Sequence, residues 1–481
     1  MLTLCSYNLF LHPLSSYPGP FLWRALRLPY VIRALQSHLA YDMLELHKRY
    51  RPIGGTYDHE MPRWKTYYKV QPNQKGMIFT TPPAEYSQMR RALSYGFSER
   101  GIRDMESRMI GTLDKFLGRL IEFCNDRDGV LPDRPAQGSS KLGSAVINIA
   151  KWCNFMTFDL IGELTFGESY ECLKTGIYHP WVKPVVELTR YSGIFSNLGF
   201  YPKFQGALLK VFGSLTCRRM DFHQKHTRAA LERRAVKVDR MDLLSESIKQ
   251  TQASEDPGAW DKLVMNSSAL VIAGSETTAT TLTAAIYLLL SNPEAYREVV
   301  AEIRSAFTSE DDITMAGVNK LDYMLVCLNE TMRMLPAVPV GIPRMVPKGG
   351  RVLNDRYVTA GTIVTIWHWA LYHNENFFRA PFEFHPERFL GTEKFASDAR
   401  HLLQPFHVGR RACIGRSLAY VEMRLTLARL LFRLDVELTD QSLKWAEQLR
   451  PYNLWFKASL YVRIKVRRRD GDDAGAYDLQ C

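Results

Sequence analysis

The chain has 481 residues and a formal net charge of +12, with 46% hydrophobic and 23% charged side chains, which is an ordinary balance for a globular protein. Its eight cysteines lie far apart and form no Cys-x-x-Cys or zinc-like Cys/His cluster. This argues against a disulfide scaffold and favours a reducing compartment. The basic residues are spread along the chain and no nucleic-acid motif occurs, so DNA or RNA binding is not expected.

Residues 1–23 (MLTLCSYNLFLHPLSSYPGPFLW) contain no Asp, Glu, Lys or Arg. A membrane-spanning helix needs about 20 mostly apolar residues, and here polar residues and prolines interrupt the run. The segment also lacks the basic start and the cleavage site of a signal peptide, so peripheral contact with a membrane interface is the expectation. Residues 24–470 are predicted to form one large domain, followed by a polar tail over 471–481, because no linker-like composition interrupts them.

Helical spacing of apolar residues dominates the chain, whereas strand-like stretches are short. Helices are predicted over 29–50, as a pair within 84–124, over 145–170, as several within 175–240, and over 258–290 and 322–335. Strands are predicted near 351–367 and 452–466, and residues 51–83 are predicted to be irregular. The expected fold class is therefore mainly α with a small β region.

The longest predicted helix, 258–290, carries the polar motif AGSETT, which begins at Ala273, between apolar flanks. Ala273 and Gly274 are small enough to let a ligand approach the helix closely. Glu276 and Thr277 place a carboxylate beside a hydroxyl where the core should be apolar. A buried carboxylate is costly unless it is paired or functional. A helix N-cap or a solvated face is the structural alternative.

Three further features are weak when each is taken alone. Glu330 and Arg333 in ETMR lie three residues apart and can pair on one helix face. Arg388 in FHPERFL can join them in a bidentate network, although exposed charges on a turn are the alternative. In YSQMRR, Arg90 follows Tyr86 by four residues, which is also the spacing of an ordinary helix surface.

The stretch PFHVGRRACIGRSLAY at 405–420 sets one cysteine, Cys413, between Gly409 and Gly415 and among three arginines. An apolar helical pattern follows it, so the cysteine is expected at a helix N-terminus. That position and the arginines favour a thiolate. Gly409 is suited to a positive φ in a tight turn, and Gly415 to close approach of a flat ligand. A buried structural cysteine is the alternative.

In this order the motifs resemble those of the cytochrome P450 superfamily of haem-thiolate monooxygenases. The ligand signature F-x-x-G-x-R-x-C-x-G is complete in Phe406, Gly409, Arg411, Cys413 and Gly415. The A-G-x-E/D-T-T, E-x-x-R and P-E-R-F signatures are also present, and the resemblance runs from residue 7 to residue 466. It implies the cytochrome P450 fold. The stretches YNLFLHPLSSYPGP and VGIPRMVPKGG are similar in sequence to those of filamentous-fungal members that tailor secondary metabolites.

The resemblance implies that the Cys413 thiolate is the axial ligand of a b-type haem, where it would push electron density onto the iron and favour O–O cleavage. Phe406 would pack against the ligand side of the haem. The implied propionate contacts are Arg90, Arg344, Arg411 and Tyr86. Tyr86 stands where the family usually has Trp or His.

On the other side of the haem, Glu276 and Thr277 would manage the protons that dioxygen cleavage requires. Ala273 and Gly274 would leave room for dioxygen. The charges of ETMR and PERF would form a structural network that supports the haem loop. Substrate would lie against the 66–84 loop and three stretches of apolar residues: Leu270–Ala273, Ala337–Gly341 and Leu454–Phe456.

The implied reaction inserts one oxygen atom from O2 into a lipophilic small molecule, a polyketide- or terpenoid-like fungal metabolite. No G-x-G-x-x-G fingerprint occurs in the chain, so NADPH and flavins are expected to act through a separate diflavin reductase docked on the basic proximal side. A monomer at the cytosolic face of the endoplasmic reticulum membrane is expected. The alternatives are a haem-thiolate isomerase or dehydratase that needs no reductase, and a haem-binding protein without turnover.

The chain departs from the family pattern in two places. Related fungal members carry a membrane-spanning helix before the YN-x-x-x-HPL stretch, which starts here at Tyr7, so the anchor is expected to be missing or truncated. After HKRYRPI the family continues into two short strands, whereas GGTYDHEMPRWKTYYKV follows here. Part of the small sheet beside the substrate channel is therefore expected to be lost.

Overall fold

In the computed structural model of the chain, the described residues are 2–50, 61–68, 83–125, 143–182, 193, 196–237 and 240–467. Residues 208–220 are described by their backbone alone. The predicted tail at 471–481 lies outside these ranges, as does most of the region where strands were expected to be lost. The division into an N-terminal segment, one domain and a tail stays a prediction.

Helices make up most of the described chain. Their bounds are α1 Leu2–Ser6, α2 Phe21–Ala25, α3 Leu28–Leu35, α4 Leu39–Tyr50, α5 Lys65–Tyr68, α6 Pro83–Ser94, α7 Glu99–Arg103, α8 Glu106–Asn125, α9 Ile149–Phe166, α10 Cys172–Thr175, α11 Pro202–Ala235, α12 Ser245–Gln252, α13 Ala259–Ser291, α14 Pro293–Ala306, α15 Met315–Val318, α16 Asp322–Met334, α17 His368–Tyr372 and α18 Arg416–Arg433. A π-helical turn, Tyr7–Leu11, follows α1, and 3-10 turns include Pro386–Phe389.

The strands are short and antiparallel. They are β1 Ser144–Asn148, β2 Arg344–Met345, β3 Arg351–Leu353, β4 Arg356–Val358, β5 Ile363–Val364, β6 Leu434–Leu438, β7 Arg450–Pro451, β8 Trp455–Phe456 and β9 Tyr461–Val466. The order β1-β9-β6 forms one three-stranded sheet, and β2-β5, β3-β4 and β7-β8 form two-stranded pairs. The fold is mainly α with a small β region, as the sequence predicts.

Three of the helices predicted from the sequence have the wrong boundaries, each for a physical reason. The helix predicted over 29–50 is two helices, because Ser37 adopts a positive φ of 57° and breaks the run. The pair predicted within 84–124 is three helices, α6 to α8. The helix predicted over 145–170 begins only at Ile149, because residues 144–148 form a strand against β9.

The central helix α13 crosses the core and packs along α9. Its polar residues are tolerated there because their hydroxyls donate to carbonyls one turn earlier, as from Ser275 to Val271 and from Thr280 to Glu276. By length and composition α13 is the one described helix that qualifies as a membrane span. It is largely buried inside the domain, however, so its apolar character reflects a core position.

Candidate functional site

The loop before α18 is closed by its own backbone. The Cys413 N–H donates to the Phe406 carbonyl oxygen at 2.8 Å, and the Ala412 N–H donates to the Gly409 carbonyl oxygen at 3.0 Å. Gly409 has the predicted positive φ, at 79°. His407 also has a positive φ of 58°, which the sequence did not signal. These turns place Cys413 immediately before the N-terminus of α18.

The Cys413 side chain is exposed, whereas the cysteines at 124, 153, 172 and 327 are buried. Desolvation of the sulfur by the surrounding protein raises the pKa of the Cys413 thiol, while the Gly415 N–H and the Arg90 charge lower it. Gly415 has an ordinary φ of −85°, and a Cβ built there would lie 3.9 Å from the cysteine sulfur. The role of Gly415 is therefore to present its N–H to the sulfur rather than to adopt an unusual backbone conformation.

Arginine and tyrosine side chains brace this loop from α6. The Arg90 Nη1 donates to the Ala412 carbonyl oxygen at 2.7 Å and to the Tyr86 hydroxyl at 2.9 Å. The Tyr86 hydroxyl in turn donates to the Arg410 carbonyl oxygen at 2.9 Å. The Arg411 guanidinium lies 4.1 Å from the centre of the Tyr86 ring. The Tyr86 hydroxyl thus donates to the loop backbone, and the contact between Tyr86 and a haem propionate stays a prediction.

A second pair of arginines approaches the loop from the small sheet. Arg344 on β2 forms an antiparallel bridge with Arg63, and the Arg344 Nη1 donates to the Met61 carbonyl oxygen at 3.0 Å. Burial, His368 and these two guanidinium groups lower the pKa of His407 to about 3. His407 is therefore neutral at physiological pH. Arg63 was missed by the sequence analysis because no motif surrounds it.

The central helix exposes small residues on one side only. Ala273 is exposed, and Gly274 and Thr277 are partly exposed, although the helix is buried from Thr278 to Leu289. The Thr277 hydroxyl donates to the Ala273 carbonyl oxygen at 2.6 Å. Gly274 has a packing role as well, because a Cβ there would lie 2.8 Å from the Ile161 side chain.

Glu276 is buried, and its carboxylate faces α9 and the segment before β9. Its carboxylate accepts from Asn154 at 3.2 Å and from Lys457 at 3.2 Å. The N-cap and solvated-face alternatives for Glu276 are wrong, because the residue lies in the middle of α13 and is 4% exposed. The sequence analysis missed Asn154 and Lys457, which lie 122 and 181 residues away from Glu276 along the chain.

The charges of ETMR and PERF form a fully buried network. Arg333 donates to both Glu330 oxygens at 2.8 Å, and the Arg388 Nε lies 3.2 Å from each of them. Arg388 also pairs with Asp398, which the sequence analysis missed. Two cations and two anions therefore cancel, and truncating one member would leave a buried charge at a cost of about 3–5 kcal/mol. The surface alternative for these residues is wrong.

The described residues fit a haem bound through one thiolate. The exposed sulfur and Arg411 lie on one loop, which Arg90 contacts from α6. The loop leads into α18, and α18 packs against the central helix that carries the open, small-residue side. Phe406 packs beside Tyr420 on the cysteine side, with ring centres 5.4 Å apart. A flat group with carboxylates at one edge matches an exposed thiol with guanidinium groups beside it.

Comparisons with known proteins point the same way. The profile of the cytochrome P450 family matches residues 33–461. The chain is 38% identical to cytochrome P450 monooxygenase tpeC of Talaromyces stipitatus, over 95% of this chain and 91% of that protein. It is 32% identical to the trichothecene C-15 hydroxylase of Fusarium sporotrichioides, over 96% of this chain and 95% of that one. The fold superposes on the crystal structure of the cytochrome P450DA haem domain with a TM-score of 0.64, at 19% identity, covering 82% of this chain and 80% of that chain.

Proposed function

The chain belongs to the cytochrome P450 family, and we propose that this monooxygenase oxidises a lipophilic small molecule of fungal secondary metabolism. Members of the family hold a haem through a cysteine thiolate and incorporate oxygen from O2 into a substrate. The observation that carries the proposal is the exposed Cys413 thiol on a loop rimmed by arginines, together with the open side of an otherwise buried central helix.

When bound, the haem supplies the activation of dioxygen, and the residues around it position the reactants. Cys413 would hold the iron, and the Gly415 N–H would stabilise the thiolate charge. Arg90, Arg344 and Arg411 would meet the haem carboxylates through charge-assisted hydrogen bonds. The Thr277 hydroxyl would hold a water molecule on the open side of the central helix.

The substrate is proposed to be apolar and bulky, of a polyketide or terpenoid type. Leu270 and the stretch Leu454–Phe456 are the proposed apolar walls, and the Phe456 side chain is 51% exposed. The relative in Fusarium sporotrichioides is named as a hydroxylase of a trichothecene. Electrons are proposed to come from NADPH through a diflavin reductase that docks near the basic cysteine loop.

The reaction is tested with purified holoprotein, a diflavin NADPH reductase and an extract of a strain that lacks the gene. Supplied with isotopically heavy dioxygen, the mixture should yield a product that carries one heavy oxygen atom and depends on NADPH. Conversion without NADPH or O2 would replace the proposal with an isomerase or dehydratase. An unchanged extract, with a haem-thiolate spectrum intact, would leave a haem-binding protein without turnover.

The N-terminal segment is proposed to rest on the cytosolic face of the endoplasmic reticulum membrane. Its exposed apolar side chains include Leu2 at 85%, Phe10 at 74% and Phe21 at 65%. The first 41 residues contain three arginines and no acidic residue. Apolar side chains insert at a bilayer interface, and arginines are attracted to anionic lipids.

Flotation with anionic phospholipid vesicles measures this contact. The double variant Phe10→Asp/Phe21→Asp should lose most of the vesicle-bound fraction, because burying two carboxylates at the interface is unfavourable. Leu443→Asp, on another exposed apolar residue, serves as the control and should bind like the wild type. Equal flotation of all three proteins would contradict the proposed contact surface.

A further inference from the structure

A buried tryptophan ties the segment after α10 to the long helix α11. The Trp181 indole Nε1 donates to the His223 carbonyl oxygen at 3.1 Å, and the two rings stack with their centres 5.2 Å apart. Tyr170 packs edge-on against the same indole, with ring centres 4.6 Å apart. Trp181 is only 3% exposed. The contact is therefore a buried link between two segments that are distant in sequence.

His223 lies in this link without a polar partner for its ring. It is 1% exposed, and neither ring nitrogen has a hydrogen-bond partner among the described residues. Its carbonyl oxygen, by contrast, accepts from Trp181 and from the Thr227 hydroxyl at 2.9 Å. Burial and the charge of His226 lower the pKa of His223 to about 4, while the nearby Trp181 backbone acts in the opposite direction. A charged imidazole here would be buried without a compensating hydrogen bond, which is unfavourable.

His179 must also be neutral for the observed geometry. Its Nδ1 accepts a hydrogen bond from the Trp181 backbone N–H at 3.2 Å. A protonated imidazole carries hydrogen on both nitrogens and accepts no such bond. Burial and the charge of His226 lower the pKa of His179, whereas Asp159 and Glu171 raise it. Proton uptake by His179 therefore removes the acceptor that holds the Trp181 backbone.

The carboxylates near these histidines already have other partners. Both Asp159 oxygens accept from backbone N–H groups of α10, at 3.0 and 2.8 Å, and Glu171 pairs with the lysine of α10 at 3.0 Å. Among the described residues, only His385 forms a histidine ion pair. Neither His179 nor His223 therefore has a carboxylate at ion-pair distance that would stabilise its charged form.

The same part of α11 packs against the central helix α13. The Gln224 amide donates to the Met265 sulfur at 3.2 Å, and Arg228 pairs with Asp261. These two partners on α13 precede its open, small-residue side. The part of α11 that Trp181 holds is therefore the part that lies against the helix carrying the candidate site.

We propose that His179, Trp181 and His223 form an acid-sensitive latch on α11, in which proton uptake by the two imidazoles releases the indole and loosens α11 from the central helix. At neutral pH both rings are uncharged and the latch is closed. In acid, a charged His179 repels the Trp181 N–H, and a charged His223 reaches water only when the indole leaves. The step is a proton equilibrium with solvent, and no bond between heavy atoms changes. It does not depend on the proposed function, because it concerns only the packing of α11.

Hydrogen–deuterium exchange of the purified holoprotein, read by mass spectrometry, tests the latch at pH 7.5 and pH 5. Labelling times are scaled to the intrinsic exchange rate at each pH, so a remaining difference reports local opening. Exchange in peptides covering residues 170–182 and 221–235 should rise about tenfold or more at pH 5, because the pKa of His223 is 6.5 when exposed and about 4 in the latch. The latch is fully stable above the exposed value and weakens as pH falls towards the buried one. Peptides from α16 in the core should not change.

Two substitutions remove the titration while keeping the contacts. His223→Phe keeps an aromatic ring and loses no hydrogen bond, because the imidazole nitrogens have no partner among the described residues. His179→Asn places an amide oxygen where Nδ1 accepts, and an amide does not titrate. The double variant His179→Asn/His223→Phe should show equal exchange at both pH values in these peptides. His401→Asn, on an exposed histidine, is the control and should behave like wild type.

Trp181→Phe removes the indole donor and should raise exchange in both peptides already at pH 7.5. Equal exchange of the wild-type peptides at both pH values would overturn the latch, as would an acid increase that persists in the double variant. An increase of the same size in α16 would mean global acid unfolding and would also overturn it. If the double variant does not fold, each single variant is judged alone, and its acid increase should be smaller than that of wild type.

Discussion

Cys413→Ser is expected to abolish the strongly red-shifted Soret band of the reduced carbon monoxide complex. A serine hydroxyl does not ionise at neutral pH, so it cannot supply the thiolate that pushes electron density onto the iron. The fold should survive, because the Cys413 side chain is exposed and serine is of similar size. The measurement is the carbon monoxide difference spectrum of purified protein, together with circular dichroism to confirm helical content.

Cys5→Ser provides the matched control, because Cys5 is the other described cysteine that is not buried. It lies on α1, in the N-terminal segment, and its substitution should leave the band unchanged. A red-shifted band that persists in Cys413→Ser would show that another residue ligates the iron. Wild type with only the shorter-wavelength band would mean that this chain binds haem without a stable thiolate.

Long elements with a strong local pattern could be predicted from the sequence. The central helix was predicted over 258–290 and spans Ala259–Ser291, because apolar flanks and a terminal Asn-Pro pair mark its ends. The helix predicted over 322–335 spans Asp322–Met334. In both cases the information lies within the element, so no distant partner is needed.

The strand Ser144–Asn148 could not be predicted in the same way. Its residues SAVIN lead directly into the apolar run of α9, so the local pattern continues into a helix. What makes it a strand is pairing with β9, where Ala145 faces Ile464. Strand formation there depends on a partner more than 300 residues away along the chain, which local periodicity cannot reveal.

The residues of the candidate site differ in the same way: some are marked by their local sequence and others only by a partner brought close by the fold. The cysteine loop carries its ligand, glycines and arginine within eleven residues, so motif spacing located them. Lys457 and Arg63 each complete a cluster from a distant segment, whereas Asp398 lies 10 residues after its partner Arg388. Nothing in the neighbourhood of these three residues in the sequence distinguishes them from surface charges. Their roles follow from tertiary packing, which brings a lone charge to a buried partner.

A buried carboxyl group that the sequence analysis passed over should dominate the pH dependence of stability. Glu422 on α18 is 4% exposed, and burial raises its pKa from 4.5 to about 8, with a hydrogen bond from Thr278 acting in the opposite direction. The unfolded chain releases this proton near pH 4.5, whereas the folded chain keeps it until about pH 8. Between those values the unfolded state binds fewer protons, so the free energy of unfolding falls as pH rises.

Glu422→Gln removes this titration while keeping the shape of the side chain. Between about pH 5 and pH 8, wild type should lose about 1.4 kcal/mol per pH unit relative to Glu422→Gln, or on the order of 4 kcal/mol in all. The contribution is fully present below the unfolded pKa and is lost as pH rises through the folded one. Urea unfolding followed by circular dichroism at several pH values measures the difference.

Glu437→Gln, on an exposed glutamate of β6, is the control and should follow the wild-type slope. Parallel slopes for wild type and Glu422→Gln would mean that Glu422 ionises within the fold. A neutral Glu422 has a consequence for the site, because it contacts Thr278, the neighbour of Thr277. The interface between α18 and the central helix then carries no net negative charge there, whereas Glu276 on the same helix pairs with Lys457.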